Sequence, residues 1–185
     1  FVLYVVVEMN KPKPLIWTAT YLDGDKNPFG AFILAERLPD LFTNGWRKSR
    51  QTIYEAKDSE DNLLIITASF PPSETDMEVL FQKLNEGTDV LIAAKAFSYP
   101  FMDTLDFELN INFDLPSLQQ SDTTEIVFGK ERFSFNESLI TAGFSLKDIT
   151  VWQTLSQDIM NQPLLIKKYF GKGSLTLCST PLLFT

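Results

Sequence analysis

The 185-residue sequence contains no histidine and a single cysteine, Cys178. Histidine is the commonest general base near neutral pH and a frequent zinc ligand, so a histidine-based catalytic dyad and a His/Cys zinc site are both excluded. One cysteine cannot form an intrachain disulfide, so the cysteine content indicates no particular compartment. We therefore expect no metal and no cofactor.

Positive charge is also scarce, with 16 Lys and Arg against 24 Asp and Glu, which gives a net charge of −8. A chain with this balance is repelled by phosphate backbones, so a nucleic-acid partner is not expected. The one basic cluster, Trp46–Arg50, is short and is interpreted as a solvated loop. Hydrophobic residues make up 44% of the chain, which is typical of one globular domain of this length.

The apolar stretch at the beginning of the sequence, Phe1–Val7, is too short to cross a membrane, because a spanning helix needs about 20 apolar residues. Two interpretations of this stretch stay open on the residues alone. It is either an edge β-strand, which its valine and aromatic content favours, or the end of a transmembrane helix. In the second case the polar residues up to Pro14 form a spacer between bilayer and domain.

The first half of the chain alternates between strand and helix patterns. The predicted strands are Pro14–Tyr21, Gln51–Ala56, Leu63–Phe70 and Asp89–Phe97. The first predicted helix is Pro28–Phe42, capped by Asn27, and the second begins after Ser73 or Thr75 and stops at Gly87. This order favours an α/β fold with a largely parallel sheet.

The second half has a different pattern, with alternating strands rich in Phe, Thr and Ile. We interpret residues 105–160 as a β-rich insertion that contains a hairpin around Gly129. The last two predicted strands, at residues 163–170 and 173–180, are joined by the turn Gly171–Gly173.

Four stretches together resemble the bacterial membrane proteins that carry domain of unknown function 4350. They read DKNPFGAFILAERLPDLF, LLIITASF, LNEGTDVLIAAKAF and YFGKGSLTLCSTPLLFT, and the resemblance spans roughly Leu15–Thr185. It implies one doubly wound α/β domain at 15–185, similar to class I glutamine amidotransferases, after the end of a transmembrane helix and its spacer at 1–14. It also implies a membrane-anchored protein with this domain in the periplasm, and a MoxR-type AAA ATPase system or another membrane protein as partner.

The amidotransferase activity does not follow from this resemblance. That chemistry uses a cysteine nucleophile at a sharp turn with a histidine beside it, and the sequence has no histidine. Cys178 lies in an alternating strand rather than at a turn, so it is predicted to be a packed residue of the core.

The crevice at the carboxyl ends of the strands is the predicted binding site, because ligands bind there in open α/β sheets. Asp25, Lys26 and Asn27 lie in the loop before the first helix, where free backbone N–H groups favour polar ligands. The same residues also fit a simple helix cap. Ser69, Lys95 and Ser98 are the further members of this predicted site.

The sequence therefore favours a non-catalytic extracytoplasmic domain that binds a partner protein or a ligand. Two alternatives remain. One is a hydrolase that uses carboxylates such as Asp25 and Asp103, and the other is a soluble small-molecule binder that uses the same crevice.

Overall fold

The structure of the protein is a computed structural model, and it describes residues 17–111, 124–135 and 142–185. The predicted membrane-helix end and spacer at 1–14 lie outside the described residues. Three α-helices are described: α1 (Phe32–Leu41), α2 (Glu74–Glu86) and α3 (Tyr99–Leu105), with a short 3-10 helix at Pro181–Phe184. None of the described helices is long and apolar enough to cross a bilayer.

Nine strands are described, and seven of them form one sheet. They are β1 (Leu63–Phe70), β2 (Asp89–Phe97), β3 (Phe107–Ile111), β4 (Thr124–Phe128), β5 (Glu131–Phe135), β6 (Ala142–Leu146), β7 (Gln153–Asp158), β8 (Pro163–Phe170) and β9 (Gly173–Cys178). The large sheet has the order β1-β2-β9-β8-β7-β4-β5, and β3 pairs with β6 in a separate two-stranded sheet.

The prediction of a doubly wound, largely parallel α/β fold was wrong. Only two neighbouring pairs of this sheet, β1–β2 and β2–β9, are parallel. The pairs β9–β8, β8–β7, β7–β4 and β4–β5 are all antiparallel. Within the range predicted as a β-rich insertion, residues 105–160, the strands at 124–135 and 153–158 continue the main sheet, whereas β3 and β6 form the separate pair. The described chain is mostly β, with a mixed sheet.

One hydrophobic core lies on one face of the large sheet. There, α2, α3 and the β3–β6 pair pack over the central strands. The buried side chains include Leu80 and Leu84 from α2 and a group of aromatic rings in mutual contact: Phe97, Phe101, Phe107, Phe144 and Trp152. A doubly wound fold needs helices on both faces, whereas the 3-10 helix, which contacts β1 and β2, packs against the opposite face.

Helix α2 forms as predicted because its two ends carry strong signals. The hydroxyl of Ser73 accepts from the backbone N–H of Asp76, and the Asp76 carboxylate accepts from the N–H of Ser73, which completes a capping box. Gly87 ends the helix with a φ of 127°, a conformation that favours glycine.

Three other local predictions were wrong in part. Helix α1 begins at Phe32 rather than Pro28, and its N-cap residue Ala31 makes no side-chain cap. The predicted strand Gln51–Ala56 is a series of turns, and residues 17–21 of the first predicted strand are not in a strand. Turns form at 51–56 because side chains satisfy the backbone there: Thr52 N–H donates to the Glu55 carboxylate and Tyr54 N–H to the Asp76 carboxylate, each over 2.8 Å.

Candidate functional site

The Asp25 carboxylate organises its own loop. Its Oδ2 accepts from the Thr20 hydroxyl over 2.6 Å, and its Oδ1 accepts from the backbone N–H and the side-chain amide of Asn27 over 2.9 and 2.8 Å. These hydrogen bonds hold the pKa of Asp25 below its usual value, and the hydrogen bond from Thr20 has the largest effect. Asn27 therefore stabilises a turn instead of capping a helix, and both residues are engaged within the loop.

Backbone hydrogen bonds also close the loop that contains Asp25. The Ala31 N–H donates to the Leu22 carbonyl over 2.9 Å, and the Gly30 N–H donates to the Asn27 carbonyl over 3.0 Å. A Cβ at Gly30 would lie 2.9 Å from the carbonyl carbon of Asp25, so the loop requires glycine at this position. The ammonium of Lys26 lies 4.5 Å from the centre of the Phe32 ring, which is a cation–π contact.

The ion pairs of this loop run to the segment before β1. Lys48 pairs with Asp23 and holds the pKa of that carboxyl below its usual range, and the neighbouring Arg47 pairs with Asp61 at 2.6 Å. Asp61 precedes the amino end of β1, whereas the predicted crevice is at the carboxyl ends of the strands. The loop also follows no described strand, whereas the prediction placed Asp25, Lys26 and Asn27 directly after the first strand.

Ser69, Lys95 and Ser98 are all near the carboxyl ends of β1 and β2, but the register places the side chains of Ser69 and Lys95 on opposite faces of the sheet. Ser69 is exposed and pairs with Ala96, one residue beyond Lys95. Lys95 is half-buried, and its ammonium group makes no ion pair or hydrogen bond within the described ranges. The Ser98 backbone N–H donates to the Phe70 carbonyl over 3.2 Å, while its buried hydroxyl has no described partner.

The two carboxylates of the hydrolase alternative belong to different parts of the chain, Asp25 to the loop before α1 and Asp103 to α3. Asp25 already accepts three hydrogen bonds, and Asp103 is exposed on α3. Across the described ranges, no group of three or more Cys, Asp or Glu side chains is arranged to hold a metal ion.

Cys178 is buried on β9, as predicted. Only 1% of its surface is exposed, and burial raises the pKa of its thiol to about 12. The Thr180 N–H donates to its sulfur over 3.4 Å. A thiol in this state is not ionised near neutral pH, so it packs as a small hydrophobic group.

An apolar cavity, which sequence reasoning missed, lies on the face of the sheet opposite the main core. Its volume is about 180 Å³. The walls come from β4, β5, β7, β8, β9 and the 3-10 helix, and the lining residues are Ile126, Phe128, Phe133, Phe135, Ser156, Leu165, Cys178, Leu183 and Phe184.

The register of the sheet explains why these side chains meet. Cys178 pairs with Leu165, Leu165 with Ser156, and Ser156 with Phe128, so one row of neighbours crosses four strands on the same face. The Gly129 turn then folds β5 back along β4 and sets Phe133 opposite Ile126. The 3-10 helix adds Leu183 and Phe184 as the remaining wall.

Two features of this cavity bear on binding. At its rim, the side chains of Phe128 and Phe133 are 50% and 47% exposed, which is unusual for large aromatic residues. In its wall, Ser156 is 3% exposed, and its hydroxyl has no hydrogen-bond partner in the described part of the chain. No charged side chain lines the cavity.

Comparison with known proteins shows a similarity of fold to a solved structure. No family model matches the chain, and no curated protein matches it. The N-terminal domain of mmIFT52 is 15% identical with a TM-score of 0.54, over 84% of this chain and 80% of that one. At this identity the likeness indicates a similar fold and nothing about function.

Two glycosidases match over smaller parts. The exo-beta-1,4-mannosidase Op5Man5 from Opitutaceae bacterium strain TAV5 is 14% identical with a TM-score of 0.43, over 65% of this chain and 20% of that one. The beta-galactosidase from Bacillus circulans sp. alkalophilus is 12% identical with a TM-score of 0.43, over 67% and 21%. The chain spans about a fifth of the length of these two enzymes.

Proposed function

We propose that the chain is a non-catalytic binding domain that receives an apolar side chain of a partner protein in the cavity between the β4–β5 hairpin and the 3-10 helix. The observation that carries this proposal is the composition of the cavity. Four phenylalanines line it, and two of them stay half-exposed at its rim. Aromatic side chains, phenylalanine among them, are enriched at protein–protein interfaces.

The position of the cavity supports a protein partner. Strand β5 is the last strand of the large sheet, and its residues from Glu131 to Ser134 are exposed. Among the described residues nothing pairs with its outer edge, so that edge offers free backbone donors and acceptors beside the cavity. A partner segment can add there as a strand and insert one side chain into the cavity, which is an established mode of peptide recognition.

The chemistry of the described residues supports binding rather than catalysis. The buried thiol of Cys178 holds its proton near neutral pH, and the sequence has no histidine to remove it. Asp25 is held by Thr20 and Asn27, so the carboxylate hydrolase that the sequence left open has no support from the loop geometry.

A second candidate function is the binding of a small anionic ligand at the carboxyl ends of β1 and β2. The observation that favours it is Lys95, a half-buried ammonium without a described partner, close in sequence to the buried Ser98 hydroxyl. We prefer the apolar cavity as the site, since residues from five strands and the 3-10 helix line it.

The location and partner of the whole protein remain proposals that rest on the family resemblance. On that basis the domain lies outside the cytoplasm, is anchored to the membrane, and acts with a MoxR-type AAA ATPase system or another membrane protein. The mixed sheet differs from the fold that the same resemblance implies, so these proposals need a test of their own.

Photo-crosslinking tests the function. A benzophenone amino acid in place of Phe133, in the protein expressed in its native cells, is expected to crosslink one defined partner. Filling the cavity with Leu183→Trp should abolish that crosslink, because the tryptophan occupies the space that the partner's side chain needs.

The matched control places the same amino acid at Tyr99, which is 73% exposed and does not line the cavity. Crosslinks of equal yield from positions 133 and 99, or crosslinks that persist in the Leu183→Trp protein, would contradict the proposed function. Unchanged thermal unfolding of the Leu183→Trp protein shows that the variant is folded.

A further inference from the structure

We infer that Asn44 is a modification site, at which the folded protein converts an asparagine into aspartate and isoaspartate without an enzyme. The site lies in the turn after α1, so it is independent of the apolar cavity and of the proposed function. Water is the only co-reactant, and the product is a second charge form of the protein.

The sequence supplies the reacting pair of residues. Asn44 is followed by Gly45, and no other asparagine in the chain is followed by glycine. The backbone nitrogen of the following residue is the nucleophile of this reaction, and glycine leaves that nitrogen unshielded because it has no Cβ. Apart from the chain neighbours of Gly45, no atom lies within 4 Å of a Cβ built there, so the space beside the nucleophile is open.

The structure leaves the side chain of Asn44 free to react. Asn44 is exposed, and its amide makes no hydrogen bond within the described parts of the chain. The Gly45 N–H donates to the Phe42 carbonyl over 3.0 Å. This hydrogen bond belongs to an exposed turn outside any helix or strand, and such turns open at little cost in free energy. The nucleophile therefore becomes available without unfolding of the domain.

The atoms of the reaction balance. The Gly45 nitrogen forms a bond to Cγ of Asn44, and the bond from Cγ to Nδ2 breaks. The proton of the backbone nitrogen leaves with the amide nitrogen as ammonia. The resulting succinimide ring then adds water at one of its two carbonyl carbons. Opening at one carbon gives aspartate, and opening at the other gives isoaspartate, in which the main chain runs through Cγ.

Two asparagines beside helices are protected from this reaction. Pro28 follows Asn27, and proline has no N–H that could become the nucleophile. Asn85 lies in the last turn of α2, and its side chain donates to the Phe81 carbonyl over 2.8 Å. The end of α2 has to open before Asn85 can react.

The asparagines near strands are also engaged. The side chain of Asn62 accepts from the Asp89 N–H over 2.8 Å, and that of Asn161 accepts from the Gln157 side chain over 3.0 Å. Asn110 is held in the β3–β6 ladder. Of the described asparagines, Asn44 thus combines an exposed amide without a partner and a following glycine.

The modification changes both the charge and the path of the chain after α1. Either product carries a carboxylate at position 44 and adds one negative charge to the net charge of −8. The isoaspartate form also lengthens the main chain by one methylene group, so the hydrogen bond from Gly45 to Phe42 cannot keep its geometry. The new carboxylate lies next in the chain to the basic cluster Trp46–Arg50.

Peptide mapping of the purified protein, after incubation in mildly alkaline buffer, tests this inference. Trypsin is expected to release Leu38–Arg47 and Leu84–Lys95, each of which contains one asparagine and no glutamine, so a change in mass identifies the residue. We expect Asn44 to react at least about tenfold faster than Asn85, which a helix protects. Labelling by an isoaspartyl methyltransferase identifies the isoaspartate product.

Unfolding in guanidinium chloride separates the effect of the fold from that of the sequence. The rate at Asn44 should stay within about threefold of the rate in the folded protein, because the turn is already open there, whereas the rate at Asn85 should rise. A rate at Asn44 that is at least about tenfold lower in the folded protein than in the unfolded one would overturn the inference, since the fold would then protect the turn.

Asn44→Gln is the matched control. Glutamine keeps the exposed amide, but its additional methylene group makes ring closure by the Gly45 nitrogen much slower. This variant should lose the second charge form that isoelectric focusing detects in the incubated protein. A second charge form that persists at the same yield in the Asn44→Gln protein would contradict the assignment of the site to Asn44.

Discussion

Replacing Phe107 with alanine is expected to destabilise the protein by about 3–5 kcal/mol, the usual cost of removing a fully buried aromatic ring. Phe107 is 1% exposed, and its ring centre lies 5.5 Å from that of Phe144 and 5.6 Å from that of Phe97. It also contacts Phe101 and Trp152, so its removal leaves a cavity that no single neighbour can fill. Denaturation in urea measures the change.

Phe42→Ala provides the matched control, because Phe42 is 49% exposed and the same atoms are removed. Its cost is expected to be about 1 kcal/mol or less. Similar costs for the two substitutions would mean that the ring cluster is not the core of this domain.

Gly173→Ala is expected to cost about 3 kcal/mol and to lower the melting temperature by about 10 °C. Gly173 begins β9 beneath the end of α2, and a Cβ there would lie 2.6 Å from the carbonyl oxygen of Leu84 and still closer to that of Thr88. Both obstacles are backbone atoms, so the helix end would have to move away from the sheet. Thermal unfolding followed by circular dichroism measures the effect.

Gly24→Ala is the control for this substitution, because no atom lies within 4 Å of a Cβ built at Gly24. Its melting temperature should stay within about 3 °C of the unmodified protein. A Gly173→Ala protein as stable as the Gly24→Ala protein would show that α2 does not pack as closely on β9 as described.

Local signals in the sequence predicted the elements that are fixed by local chemistry. The capping box at Ser73 and the glycine at position 87 define α2, and both are visible in the sequence. The turns at Gly129 and Gly171 define two hairpins, which form as predicted.

These local signals do not determine the order of the strands in the large sheet. The alternation of strands and helices in the first half is typical of a parallel sheet, and β1 and β2 do pair in parallel. Strand β9 comes from the end of the chain to lie beside β2, and it brings β8, β7, β4 and β5 with it in antiparallel order. No local pattern shows that two distant segments pair, so the fold class was predicted wrongly.

For the candidate site, too, the sequence shows local features but not the contacts between distant segments. Asp25 and Asn27 have the residue types of a ligand-binding loop, but their polar atoms bind each other. The alternation of Phe133 and Phe135 in β5 does suggest an apolar face on that strand. The cavity itself depends on a register that runs through β9, β8, β7 and β4, and only the structure shows it.

The most direct test of the cavity as a binding site is an NMR measurement of nuclear Overhauser effects between bound toluene and the methyl groups of the protein. The account predicts contacts to the methyl groups of Ile126, Leu165 and Leu183, which line the cavity. Contacts only to methyl groups outside this set, such as those of the exposed Leu64 or Ile149, would contradict it.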